Sequence, residues 1–223
     1  MRGMWLELAP LVLVSAVLPL QTIVTLALVR SSFRAALAWV AGMTVVRLMQ
    51  GVLFGVILAS SEAVPRSNGA RPVLGTLLLV LALLLYVKSL REVLGAEDED
   101  APPPKWLAKV SSLSAATAFG AGAGFILVSA KFLIFTLAAI EVIGDAHVGP
   151  QLSVLIYVLF VALAQIIPLA LLALGASSSS QSAAMLEGFS ALLRRHNRTL
   201  VVLFGLIFGT WFLVKALKQL NVI

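Results

Sequence analysis

Two cations, Lys131 and Arg47, stand near the middle of long apolar runs, at 118–142 and 35–59. About 20 apolar residues span the hydrocarbon core of a bilayer. A charge at that depth costs about 2.5–3.5 kcal/mol on insertion scales, so an ionisable residue there reads as functional when a partner or a wet cavity accommodates it. Arginine presents a bidentate fork and lysine a point charge, and both suit carboxylate, phosphate or sulfate groups. Gln50 follows Arg47 by one turn, and Ser129 precedes Lys131. Glu141 is the nearest acid on the Lys131 run but lies at its end, where an ion pair would make one cation structural. Lys131 sits too deep for easy snorkelling to an interface.

Smaller polar residues suggest a lining for such a site. Gln21, Thr22 and Thr25 follow Pro19 within the run 8–29, and Gln165 precedes Pro168 by three residues within 151–174. A proline inside a helix removes one hydrogen bond and frees a carbonyl. Pro19 and Pro168 are therefore expected interruptions, and the cluster Gly120, Gly122 and Gly124 is the expected one in the run 118–142. Close helix packing is the alternative reading of the glycines, and interhelical hydrogen bonding that of Gln21, Thr22 and Thr25. Thr44, Thr136 and Tyr157 read as packing residues.

Composition narrows the class. The chain has 223 residues, 61% hydrophobic and 12% charged, with a mean hydropathy of +1.06; soluble domains carry about 25% charged residues. The net charge of +6 does not form a basic stripe with interleaved aromatics, so nucleic acid is not an expected partner. With no cysteine, thiol chemistry and disulfides are excluded. Asp145 and His147 share one loop, which is too few ligands for a metal, and no cofactor is expected. No catalytic motif falls in its proper context. Ser129 and Lys131 are the only nucleophile–base pair in sight, and two residues apart on a helix they diverge.

Six apolar runs, at 8–29, 35–59, 73–93, 118–142, 151–174 and 199–217, each reach spanning length. The first lacks a clear A-x-A cleavage site and is read as a span rather than a signal peptide. Lys and Arg in short loops set orientation. Nine of them (Arg30, Arg34, Lys88, Arg91, Lys105, Lys109, Arg194, Arg195, Arg198) fall on one side and five (Arg2, Arg66, Arg71, Lys215, Lys218) on the other. The richer side is expected to be cytoplasmic, with both termini outside. The expectation is an all-α integral protein of the inner (plasma) membrane. Its halves are 1–95 and 110–223, joined by an acidic, proline-rich cytoplasmic linker at 96–109. Residues 182–197 read either as an interfacial amphipathic helix or as a lead-in turn to the last span, with His196 and its neighbouring arginines at the lipid headgroups.

The halves repeat. With Pro19 set against Ala130, Ile23-Val24-Thr25-Leu26-Ala27 aligns with Ile134-Phe135-Thr136-Leu137-Ala138. Val87-Lys88-Ser89-Leu90 likewise aligns with Val214-Lys215-Ala216-Leu217. Three spans per half force the halves into opposite orientations, giving two inverted three-helix repeats. Transporters built this way hold their sites near the midplane, where helices are interrupted.

The order of these features resembles a known family. Pro19 is followed by Leu28-Val29-Arg30-Ser31-Ser32-Phe33-Arg34-Ala35-Ala36 and then Ala41-Gly42, and the fourth span carries Ser129-Ala130-Lys131-Phe132-Leu133 through Leu137-Ala138-Ala139. The chain is similar to the glycopeptidolipid-addressing protein (GAP, or Sap) family of the lysine exporter (LysE) superfamily. Ala130 replaces the proline that this family carries before its lysine. The resemblance implies a six-helix protein moving small solutes or envelope glycolipids. The expected function is a secondary transporter or exporter of a small anionic or amphipathic solute or envelope (glyco)lipid. Its site would be lined by Lys131, Arg47, Gln21, Thr22, Thr25, Ser129 and Gln165, and its partners would be membrane lipids, the substrate, and further copies or a larger export complex. The competing expectation is a non-catalytic accessory or scaffold subunit of a lipid export system, its polar residues merely tying helices together.

Overall fold

The computed structural model describes residues 2–16, 19–61, 70–95, 109–177, 180–220 and 222. The linker expected at 96–109 lies, apart from Lys109, outside them. Every regular element among the described residues is helical: α1 (Arg2–Ala16), α2 (Pro19–Ser31), α3 (Phe33–Ser61), α4 (Ala70–Leu94), α5 (Ala115–Val128), α6 (Ala130–Asp145), α7 (Pro150–Ala164), α8 (Ile166–Ala176) and α9 (Ser180–Gln219). An all-helical chain suits lipid, because a helix satisfies its own backbone groups where no water can.

Among the described residues, one helix segment, Phe33–Val56 of α3, is long and apolar enough by itself to cross a membrane. Three helix pairs pass the same test jointly but are bent, by 51° at α1–α2, 68° at α5–α6 and 63° at α7–α8, so the count rises to four if each pair is one span. The outer faces are apolar: Val52, Val56, Leu84, Val154 and Ile207 are all more than half exposed. Soluble monomers rarely expose apolar surface this widely. Residues 182–197 are helical and continuous with 199–217 inside α9, so no separate element precedes the last apolar run.

Each bend has a local cause. Pro168 is the third residue of α8, where its ring and missing N–H disrupt the ladder back to Ala164. The chain turns at Gln165, whose N–H tightens onto the Ala162 carbonyl at 3.2 Å. Pro19 is the first residue of α2, a position where the lost N–H is unpaired in any helix. At α5–α6 the interruption is Ser129, in an extended conformation (φ −81°, ψ 102°). It does not fall at the glycines: Gly120, Gly122 and Gly124 lie inside the continuous helix α5, which a single glycine weakens without breaking.

Those glycines divide by role. The α3–α5 crossing is backbone against backbone. A Cβ on Gly42 would strike the Phe119 carbonyl, and one on Gly122 the Trp39 carbonyl, whereas Gly120 and Gly124 face open space. Small residues at such a crossing let helices approach where lipid supplies no hydrophobic drive. α4 lies along α9 in a similar way: a Cβ on Gly205 would collide with the Ser89 hydroxyl, and Tyr86 Oη pairs with Thr210 Oγ1 at 2.7 Å. Gly122→Ala is expected to destabilise the detergent-solubilised protein by about 1–3 kcal/mol through overpacking. Gly120→Ala and Gly124→Ala should hold stability or raise it by up to about 1 kcal/mol; thermal unfolding of the three variants checks the contrast.

Candidate functional site: a buried cation between broken helices

α3 is the hub. Arg47 lies at the midpoint of this 29-residue helix and is only 3% exposed. Its guanidinium carbon sits 4.7 Å from the centroid of the Phe132 ring, while Nε and Nη2 are buried without a hydrogen-bond partner. Lys131 Nζ stands 5.3 Å from the same ring, so Phe132, itself 1% exposed, carries two cations. A cation over an aromatic face gains roughly 0.5–2 kcal/mol. That leaves the guanidinium donors unmet, and each unmet buried donor costs about 1–3 kcal/mol.

Ser129 explains how the two cations meet. By breaking the helix it starts α6 at Ala130, so Lys131 and Phe132 occupy the first turn and lie beside Arg47. A helix start carries partial positive charge, and Lys88 of α4 is near enough for its own charge to act on Lys131. Among the described residues no carboxylate pairs with Arg47 or Lys131; the ion pair formed is Lys215 with Glu7, at 3.1 Å. Among the described residues the arrangement is therefore electropositive and has no carboxylate counter-ion.

The neighbours of Arg47 on α3 fasten the surrounding helices. Thr44 donates to the Val40 carbonyl at 2.8 Å and accepts from Gln165 Nε2 at 3.1 Å, joining α3 to the α7–α8 bend. Thr136 Oγ1 donates to Gln50 Oε1 at 3.3 Å. Tyr157 Oη donates to the carbonyl of Arg47 at 2.7 Å, and Gly51 makes room for the Tyr157 ring.

Gln21, Thr22 and Thr25 are buried as well, but at the α1–α2 break. Gln21 Nε2 donates to the carbonyls of Ser15 (2.7 Å) and Ala16 (3.3 Å), capping the end of α1. Thr25 Oγ1 donates to the Gln21 carbonyl at 2.6 Å. Of the residues singled out in the sequence, Arg47 and Lys131 both lie near the Phe132 ring, Ser129 is the break two residues before Lys131, and Gln165 is tied to α3 through Thr44. The bonds of Gln21 and Thr25 stay within their own helix pair. Sequence reasoning overlooked Phe132, although it adjoins Lys131. In the sequence Lys88 reads as an orientation-setting basic residue and as part of the repeated V-K-x-L, not as a neighbour of Lys131.

Fold and site together define a helical membrane protein whose interrupted helices surround a buried, electropositive centre. A family model described as Sap, sulfolipid-1-addressing protein matches residues 3–218, and the chain belongs to that family. No curated protein and no solved structure matches the chain.

The Thr44–Gln165 tie has a measurable strength. In a double-mutant cycle, Thr44→Val and Gln165→Leu should couple by about 0.6 kcal/mol, and by no more than about 1.7 kcal/mol, the range for interhelical bonds in membranes.

Proposed function

We propose that this protein is a lipid-handling membrane carrier that moves an anionic or amphipathic lipid, or a small anionic solute, through a midplane site between two inverted three-helix halves. The observation that carries the reading is the Arg47 guanidinium, almost fully buried with Nε and Nη2 unpartnered. A sulfate, phosphate or carboxylate headgroup supplies the oxygens those donors lack. The family description, which names sulfolipid-1 addressing, supports a lipid cargo. Lys131 neutralises a second charge of the headgroup, and Ser129, Gln165, Gln21, Thr22 and Thr25 belong to helix breaks that adjust as it passes. The protein performs no catalysis in this reading.

The inverted plan draws support from matched positions. The first span of each half is broken, at α1–α2 and at α5–α6. Lys88 and Lys215 hold equivalent places near the ends of α4 and α9, and each reaches toward the broken span of one half: Lys88 acts on Lys131, and Lys215 binds Glu7. This plan carries membership of the lysine exporter superfamily, six crossings of the inner membrane, a cytoplasmic linker at 96–109 and both termini outside. A reporter fused after Ile223 should then be active outside the cytoplasm; activity inside reverses the assignment.

A second reading also rests on a specific observation: Thr44, Gln50, Thr136, Tyr157 and Gln165 already bond helix to helix. A scaffold subunit of a larger lipid export complex needs no more than that. Proteoliposomes loaded with a fluorescent sulfated or phosphorylated lipid separate the two. Arg47→Ala is expected to abolish leaflet-to-leaflet transfer and Lys131→Ala to slow it roughly tenfold, the effect of losing about 1.4 kcal/mol, with both variants inserted normally. Transfer by the double variant at the wild-type rate removes the cations from the mechanism, and absence of transfer by the wild type favours the scaffold.

A further inference from the structure

We propose that the α1–α2 break is a binding site for a monovalent metal cation, with Na⁺ as the ion it takes. The site is distinct from the Arg47 centre and does not depend on what the chain carries.

Two side-chain oxygens at this break, Gln21 Oε1 and Ser15 Oγ, are buried without a hydrogen-bond partner, and both residues are 0% exposed. Buried polar atoms in proteins are almost always satisfied, so an orphaned pair marks a place where a water or an ion belongs. What surrounds the pair decides which. The carbonyls of Ser15 and Ala16 end α1 and supply the partial negative charge of a helix C-terminus. Ser15, Ala16 and Gln21, the residues beside the break, therefore carry four candidate oxygens, two on side chains and two on the backbone. The donor now serving it is the Gln21 amide nitrogen, at 2.7 and 3.3 Å from the two carbonyls.

This is an oxygen-rich cluster in which an amide N–H group takes the place of a cation. Turning the Gln21 amide over exchanges its nitrogen for Oε1. A cation between Oε1, Ser15 Oγ and the two carbonyls then satisfies all four oxygens together. Thr25, whose hydroxyl donates to the Gln21 carbonyl at 2.6 Å, holds the backbone of that turn. All four ligands are neutral, and Ca²⁺ characteristically takes carboxylates. Interrupted helices in membrane carriers coordinate Na⁺ through unwound carbonyls and half-helix C-termini. Pro19 at the head of α2 keeps the break in place, since no helix runs unbroken through it from α1 without losing a hydrogen bond.

The test is the melting temperature of the purified full-length protein in detergent, in NaCl, KCl and choline chloride at equal ionic strength. A saturable rise specific to NaCl is expected, because an ion that binds only the folded state stabilises it by mass action. Gln21→Ala and Ser15→Ala should each weaken the Na⁺ response roughly tenfold or more, the loss of about one hydrogen-bond-strength ligand. Gln21→Glu, which keeps an oxygen in place, should retain it. Should the alanine variants fail to fold, binding of ²²Na⁺ to the wild type, displaced by unlabelled NaCl and not by KCl, carries the proposal. Equal melting in all three salts with no displaceable ²²Na⁺ overturns it and leaves a bound water at the break. A Na⁺ response unchanged in both alanine variants overturns it as well.

Discussion

Everything near the centre of this protein follows from one buried charge. Arg47 is carried on an uninterrupted apolar helix and is buried beside an aromatic ring, with no carboxylate among the described residues to neutralise it. The ring recovers part of the desolvation cost and cannot accept the guanidinium's directional hydrogen bonds. A fold that tolerates such a residue must hold it tightly, and this one does. Thr44, the Arg47 carbonyl and Gln50 are fixed to the α7–α8 bend, α7 and α6 in turn, which resists rotating the charge outward or sliding it toward an interface. The cost of a charge held in this way is recovered when a counter-charge arrives, which is the basis of the anion site proposed above.

The breaks follow from the same constraint. A continuous helix through 115–145 would carry Lys131 and Phe132 past Arg47 rather than begin a helix beside it. The 68° bend at Ser129 places the start of α6 against α3 and adds a positive helix terminus to two cations. At α7–α8 the bend sets Gln165 opposite Thr44, and at α1–α2 Gln21 closes the end of α1. At α1–α2 the Gln21 amide meets carbonyls that the interrupted helix leaves exposed, which is how irregular backbone survives at membrane depth.

Much of this was legible in the sequence, and for physical reasons. Hydrophobic runs of spanning length need no partner to be read, and a lone arginine or lysine inside one stands out because its cost is large. Prolines announced two of the three bends. The third was misplaced: glycines suggested a break near residue 122, yet Gly122 is small because α3 crosses there, and the break falls seven residues later at Ser129. Glycine signals close approach and helix weakness alike, and only the identity of the neighbour distinguishes them. Phe132 was invisible for the opposite reason, since an aromatic residue in an apolar run has no sequence signature until a cation is found above it.

The lysines of the two V-K-x-L segments, Lys88 and Lys215, are used differently. Lys215 closes an ion pair with Glu7 and lies 5.5 Å from the Trp211 ring centroid, clasping α9 to α1. Lys88, at the matching position of the earlier V-K-x-L segment, instead adds a like charge in the neighbourhood of Lys131. The first contact is attractive, and the second is repulsive until an anion intervenes. In a carrier with inverted halves, such an imbalance biases which side stands open when no cargo is present, and an anionic headgroup entering beside Lys88 and Lys131 converts the repulsive interface into an attractive one. In the carrier proposed above, a ligand that satisfied Arg47 would thus also alter the Lys88–Lys131 contact, so binding and reorientation would share one electrostatic origin.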